Sequence, residues 1–353
     1  MAFLEKKGVL TALISAAGAL MAFVSLTPAP GRGGSLLLAF LFFVAVVEGC
    51  IAAAAAGATV NARWVGSVRK ELLSVTPLLL VASFLLLLLI PFVDSYPWAG
   101  RPGIWLRKDF FIGRNFAFLL LAYVTARRFA AAPADGEGTK SGAAWYLLVF
   151  VVSQSLAAFD LVMSLEYPWV SALLGGYFFI EALYGGFAVS ALLYLLLRGT
   201  PPADRAHGSR SDLSDLSILM FGFSIMWAGL FFAQFLTIWY GNIPEEVGFI
   251  ARRMVASPMR ELCVAVLFLL FFIPFPALLS TRAKSNPYVV SAVSLSILSG
   301  ILVERYVFLA PVVQLSPGAL AIDFVCLLLL FVAVVAKSSR GAAIEAGRAT
   351  RSA

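Results

Sequence analysis

The chain has 353 residues, of which 61% are hydrophobic and 13% charged, against about 45–50% apolar and roughly 25% charged in soluble domains. Both departures exclude a soluble globular fold, along with disordered, collagen-like and disulfide-scaffold classes. The net charge of +7, from 26 Lys and Arg against 19 Asp and Glu, fits basic residues gathered in cytoplasmic loops. No soluble basic segment is long enough to fold on nucleic acid, so no nucleic-acid partner is expected.

Ten apolar stretches follow in chain order, at residues 8–27, 34–57, 71–93, 109–131, 143–165, 170–197, 216–240, 260–279, 287–308 and 317–337. Backbone polar groups in lipid must be satisfied within the segment, so each stretch predicts a spanning α-helix. The first stretch, behind Lys6 and Lys7, is about 20 residues, longer than a signal-peptide core, and is read as a span. The fold class is therefore an all-α polytopic membrane protein of about ten helices. It forms one ten-helix transmembrane domain over 1–340 with a short polar tail at 341–353. Pro77, Pro274 and Pro276 predict kinks in spans three and eight. Ala52–Ala56, Gly175-Gly176 and Gly185-Gly186 predict close helix approach.

Loop charges set the orientation. With both termini cytoplasmic, the inner segments hold most of the basic residues, among them Lys6, Lys7, Arg63, Arg69, Lys70, Arg127, Arg128, Arg282 and Lys284, as the positive-inside bias requires. Segments 132–142 and 199–215 on that side read as plain linkers. The outer connections differ in texture. They carry Asp94-Ser-Tyr-Pro-Trp98, Trp105-Leu-Arg-Lys-Asp109, Glu166-Tyr-Pro-Trp169 and Asn242-Ile-Pro-Glu-Glu246. An interfacial belt accounts for the aromatics but not for the charges beside them, so the outward face reads as specialised.

An ionisable group at membrane depth costs about 2.5–3.5 kcal/mol to insert, which makes each one a functional candidate. Glu48, Gln154, Asp160, Glu181 and Asp323 are the candidates for a proton path or quinol-side role. Glu48 and Glu181 have no basic residue at comparable depth, and an unpaired buried carboxyl exchanges protons readily. Asp109, Arg114, Glu166, Trp169, Gln234, Glu245, Glu246, Glu304 and Arg305 form an outward set, read as a docking face. Within that set, Arg114 or Arg305 is free to neutralise Asp160, Glu304 or Asp323. Cys50, Cys263 and Cys326 lie far apart, and the single histidine, His207, sits in a polar loop. An iron–sulfur cluster, a zinc site or bis-histidine haem ligation by this chain is therefore not expected.

Four stretches together resemble a known family. They are Trp105-Leu-Arg-Lys-Asp-Phe-Phe-Ile-Gly-Arg114, Phe159-Asp-Leu-Val-Met-Ser-Leu-Glu166 with Trp169, Ile238-Trp-Tyr-Gly-Asn-Ile-Pro-Glu-Glu246, and Glu304-Arg-Tyr306. They are similar to the ActF-like membrane subunits of alternative complex III, a bacterial quinol:cytochrome c oxidoreductase, within the broader NrfD/PsrC-like integral membrane family. The resemblance implies two four-helix bundles with two peripheral helices, in the cytoplasmic (inner) membrane of a bacterium. It implies no redox cofactor in this chain, with menaquinol or ubiquinol nearby. Implied partners are an extracytoplasmic iron–sulfur subunit, a multihaem cytochrome c, an ActC-like membrane subunit and the lipid bilayer. Asp160 would lie on the quinol or proton-entry side. Two departures stand out: Tyr167-Pro168 replaces the family's frequent Pro-His, and no span carries the histidine that the ActC-like subunit uses for quinol. The alternative from another class is a proton-coupled secondary transporter using Glu48, Asp160 and Glu181, although the sequence offers no matched pair of interrupted spans.

Overall fold

The computed structural model describes residues 18, 23, 29–100, 103–133, 136–198 and 212–349. The predicted first span apart from Gly18 and Phe23, His207 and both termini fall outside the described residues. Eight described helices are long and apolar enough to cross a membrane, and a bent pair is so when its two halves are taken together.

The first four-helix bundle is a closed ring. It consists of α1 (Arg32–Thr59), the bent pair α2 (Arg63–Ser74) and α3 (Leu78–Leu88), α4 (Lys108–Ala131) and α5 (Glu137–Leu161). Around the ring α1 packs on α3, α3 on α4, α4 on α5 and α5 on α1. The bend between α2 and α3 is 43°, and Pro77 stands at the break, lacking the N–H that would continue the ladder. The second ring consists of α6 (Leu173–Arg198), α7 (Asp212–Gly241), the broken span that begins with α9, and α12 (Pro287–Leu309). That broken span comprises α9 (Met259–Leu267), a π-helical turn at Phe268–Phe272 and α10 (Pro274–Ala277). Pro274 and Pro276 therefore cause the predicted interruption, here as a π turn rather than a simple kink. Between the bundles' main helices lie α8 (Pro244–Met254), which joins α7 to α9, and α11 (Thr281–Lys284). Helix α13 (Pro317–Ala349) is peripheral, packing on α1 and α2. It continues through the first nine residues of the predicted polar tail, to Ala349.

The two rings meet along α1 and α6. In α1, 89% of the most apolar window is buried inside the protein, so this helix is apolar all round, as a core helix must be. Its crossing with α6 is set by two glycines. A Cβ on Gly49 would lie 2.0 Å from the Ala182 carbonyl oxygen, and one on Gly186 would lie 2.1 Å from the Gly49 carbonyl oxygen. Backbone touches backbone here, which is how small residues hold membrane helices together.

Hydrogen bonds between distant segments gather the connections at two ends. Trp98 donates to Ser164 and Ser316 N–H to Ser35 at one end; Ser67 donates to Asp212 and Ser338 to the Lys70 carbonyl at the other. The Tyr-Pro-Trp turns share the first end, called the aromatic face below.

Gly186→Ala should destabilise the protein by about 3 kcal/mol or more, because overpacking against backbone cannot be relieved by a rotamer change. Gly113→Ala, where an added Cβ meets nothing within 4 Å, should leave the melting temperature in detergent unchanged. Equal melting of the two variants would disprove the close crossing.

Candidate functional site

Buried charges in the described spans are resolved into separate clusters rather than one ladder. In the first bundle, Glu48 of α1 is fully enclosed and accepts from Ser153 Oγ and Gln154 Nε2 of α5, each at 2.8 Å. Tyr146 hydroxyl donates to the Glu48 carbonyl at 3.1 Å. Serine and glutamine thus satisfy the carboxyl without a cation, and tyrosine satisfies the main-chain carbonyl of the same residue.

Asp160, expected at a proton entrance, is a hub of donors. Its Oδ2 accepts from Arg114 Nη2 at 2.6 Å, Arg114 Nε at 3.1 Å and Asn115 Nδ2 at 2.8 Å, while Oδ1 accepts from Trp105 Nε1 at 3.0 Å. The Arg114 guanidinium stacks over the Trp105 ring at 3.8 Å. The effect of these bonds is to pin the Trp105 loop onto α4 and α5. Asp323 belongs to a third cluster, in which Arg32 at the start of α1 grips it bidentately at 2.7 and 2.8 Å. Neither Arg114 nor Arg305 is its partner, and the arginine that is had escaped the sequence reading.

Glu181 is not unpartnered. Arg305 Nη2 lies 2.8 Å from Glu181 Oε2, with both side chains fully buried, and the guanidinium stacks on Phe178 at 3.8 Å. Its N–H bonds do not aim at the carboxylate, so both groups retain unfilled hydrogen-bonding capacity. Glu304, the residue before Arg305 on α12, accepts from the Tyr177 hydroxyl and lies close to Glu181. Two carboxyls therefore lie beside one guanidinium, which is ion-paired to Glu181.

Glu304 and Tyr177 of this cluster form the floor of a cavity of about 340 Å³. The walls come from α6, α7, α9 and α12, with Leu174, Phe231, Phe235, Val266, Leu267 and Val307 making it almost wholly apolar. Its roof is α8 and Trp169. Phe249 of α8 stacks on Trp169 with centroids 3.9 Å apart and planes 10° apart. Arg253 donates to the Phe249, Val307 and Phe308 carbonyls at 2.8, 3.1 and 2.9 Å and pairs with Glu166. Burial pulls the Arg253 guanidinium below its ordinary value, and the Glu166 carboxylate opposes that shift. Two polar groups on the cavity lining have no partner among the described residues: Trp169 Nε1 at the roof and Glu304 Oε2 at the floor. Gln234 also lines it, bonded to Ser171. Buried polar groups are normally satisfied; two that face an apolar cavity are what a bound ligand's oxygens would complete.

The predicted docking face is accordingly smaller than expected. Glu166, Trp169, Arg114, Glu304 and Arg305 are buried, because they clasp helices or line the cavity. Asp109, paired with Arg107 at 2.7 Å, and Glu245 are exposed, and Glu246 and Gln234 are half-buried. Sequence reasoning missed Arg32, Tyr177, Arg253 and Cys263 as site residues. For Tyr177 a signal existed: Tyr177, Glu181 and Tyr184 recur at helical spacing on one face of α6. Among the described residues no group of three or more His, Cys, Asp or Glu has the arrangement of a metal site.

The fold and these buried clusters define the class: an all-α polytopic membrane protein with an apolar cavity beside an acid pair. No protein-family model matches the chain, and no curated protein does.

Asp160→Asn should cost about 3 kcal/mol, since it leaves Arg114 buried against a neutral amide. Replacing both, Arg114→Met with Asp160→Leu, should cost less than the single change. Thermal unfolding in detergent checks the order, and the opposite order would mean that the pair is not desolvated.

Proposed function

We propose that the chain is an integral subunit of an alternative complex III-type quinol:cytochrome c oxidoreductase in a bacterial cytoplasmic membrane, with both termini cytoplasmic. In this reading it carries protons and scaffolds the complex without a redox cofactor of its own. The supporting observation is the cavity with Glu304 Oε2 unpartnered at its floor and Glu181–Arg305 directly behind it. A menaquinol or ubiquinol ring fits an apolar slot of this size, with one oxygen at Glu304 and Tyr177 and the other at Trp169 Nε1. No histidine is needed, because the carboxyl pair supplies the proton acceptor.

The chemistry balances across subunits. Oxidation of a quinol to a quinone releases two protons and two electrons. The electrons pass to the redox centres of the extracytoplasmic iron–sulfur subunit and the multihaem cytochrome c. This chain's part is the two protons: Glu304 takes the first from a quinol hydroxyl as a general base and hands it to the neighbouring Glu181, which leaves Glu304 free to take the second from the other hydroxyl. An ActC-like membrane subunit and the lipid bilayer complete the partners. The Trp-Tyr-Gly-Asn-Ile-Pro-Glu-Glu segment, Trp239 to Glu246, then serves both as the cavity's roof connection and as exposed surface for the partner.

A proton-coupled secondary transporter is the second reading, favoured by the interruptions at Pro77 and at Phe268–Phe272, since broken helices border transporter sites. Purification in mild detergent separates the two. The respiratory reading expects iron–sulfur and multihaem subunits to travel with the chain; a clean single protein would overturn it. In the purified complex, Glu304→Gln should lower quinol-driven cytochrome reduction about 100-fold, the scale of a lost general base. Unchanged turnover would remove Glu304 from the proton path.

A further inference from the structure

The cavity is closed unequally on its different sides. Toward the aromatic face, α8 lies across it. This 11-residue helix has two faces, with Phe249 and Arg253 buried one turn apart and Glu245 and Arg252 exposed. It enters from Asn242, whose φ is +46°, a left-handed conformation that turns the chain out of α7. Glu166 holds it down by pairing with both Arg253 and, at 2.9 Å, Arg252. Toward the other end, the floor cluster and the π turn against α7 close the cavity. Sideways, the seal is poor. Helices α7 and α9 scarcely touch along the cavity, and the residues lining that gap, Phe235 of α7 and Val264 of α9, are 40% and 42% exposed while also facing the cavity. Both sit on spanning helices whose outer surfaces are apolar, with Phe232, Leu236 and Phe268 exposed beside them. In a bilayer that surface faces lipid.

We infer that the cavity fills sideways from the lipid through a portal between Phe235 and Val264, and that the Glu166–Arg252–Arg253 clasp on α8 shuts it against water. The occupant must therefore be a membrane-dissolved, mostly apolar molecule, and water-soluble solutes of similar size are excluded. The inference rests on reading the cavity as a ligand site, but not on the respiratory assignment. A solute transporter would instead need the aqueous entrance that the clasp closes.

Cys263 provides a native reporter, since its thiol lines the cavity while Cys50 and Cys326 are buried elsewhere. The chain, with whatever subunits accompany it, is placed in vesicles and treated with two thiol reagents, an apolar maleimide and a charged, membrane-impermeant thiosulfonate applied to both sides. Cys263→Ser gives the background. The wild type should label with the maleimide and at least tenfold more slowly with the charged reagent. Glu166→Gln should raise charged labelling at least tenfold and leave maleimide labelling alone. Should that variant fail to reach the membrane, Arg253→Lys, which keeps the charge but loses the fork, should give the same direction. Val264→Trp should slow maleimide labelling at least tenfold. Rapid charged labelling of the wild type would overturn the inference, as would maleimide labelling indifferent to Val264→Trp. None of these readings involves quinol turnover, so lateral access and the respiratory function fail or survive separately.

Discussion

A carboxylate taken out of water and into a helical bundle must find a cation or several donors, because its solvation is lost and lipid offers no replacement. Much of this architecture follows from how that demand is met. Arg32 with Asp323 ties the peripheral α13 to the first bundle, and Arg114 with Asp160 fixes the Trp105 loop. Arg253 with Glu166 holds α8 down, and Arg305 with Glu181 joins α12 to α6. Each pair links segments remote in sequence, so each contributes more to choosing one packing than to raw stability, which a well-packed apolar pair would match. Arginine suits the task throughout, since its planar fork engages a carboxylate and lies flat on an aromatic ring at once.

Against that background, Glu48 and Glu304 differ from the paired acids and from each other. Glu48 has neutral donors on both oxygens and is fully buried. Its geometry suits a registry bond between α1 and α5, and a proton arriving there has no further station among its hydrogen-bond partners. Glu304 keeps one oxygen unfilled and faces a cavity. The distinction is between an acid whose neighbours complete it and one whose neighbours leave room for another molecule. Only the second has the geometry of a working group.

The spans were legible because hydropathy over about 20 residues measures what lipid requires, and the bends at Pro77 and Pro274 were legible because proline removes a specific hydrogen bond. Depth was legible too, which is why Glu48, Asp160 and Glu181 stood out. What depth lacks is azimuth. The charges of Glu181 and Arg305 lie together only once α6 and α12 are rotated toward each other, and no local pattern carries that rotation. Arg32 and Asp323 are 291 residues apart, and Arg32 reads in sequence as an ordinary loop charge. Trp169 illustrates the converse error. An aromatic near a span end reads as an interfacial residue, yet this one is buried by stacking on Phe249, a contact supplied by a helix about 80 residues further along the chain. The cavity was invisible for a plainer reason: it consists of contacts that α7 and α9 do not make.

The weak hydrogen bonding of Glu181 and Arg305 bears on how the floor could work. A guanidinium held by four hydrogen bonds, as Arg253 is, has little freedom to change partner. Arg305 is instead held by proximity to Glu181 and by stacking on Phe178, with its N–H groups unfilled. Because stacking tolerates small in-plane shifts, the cation paired with Glu181 can move toward Glu304 with little change in contact area. A proton placed on Glu304 from the cavity would strengthen the Arg305–Glu181 pairing. Moving that proton to Glu181 would draw Arg305 toward Glu304 instead. Proton position and guanidinium position are then coupled, and the coupling needs no movement of the backbone. The asymmetry that gives it direction is already present, since Glu304 lines the cavity and Glu181 does not.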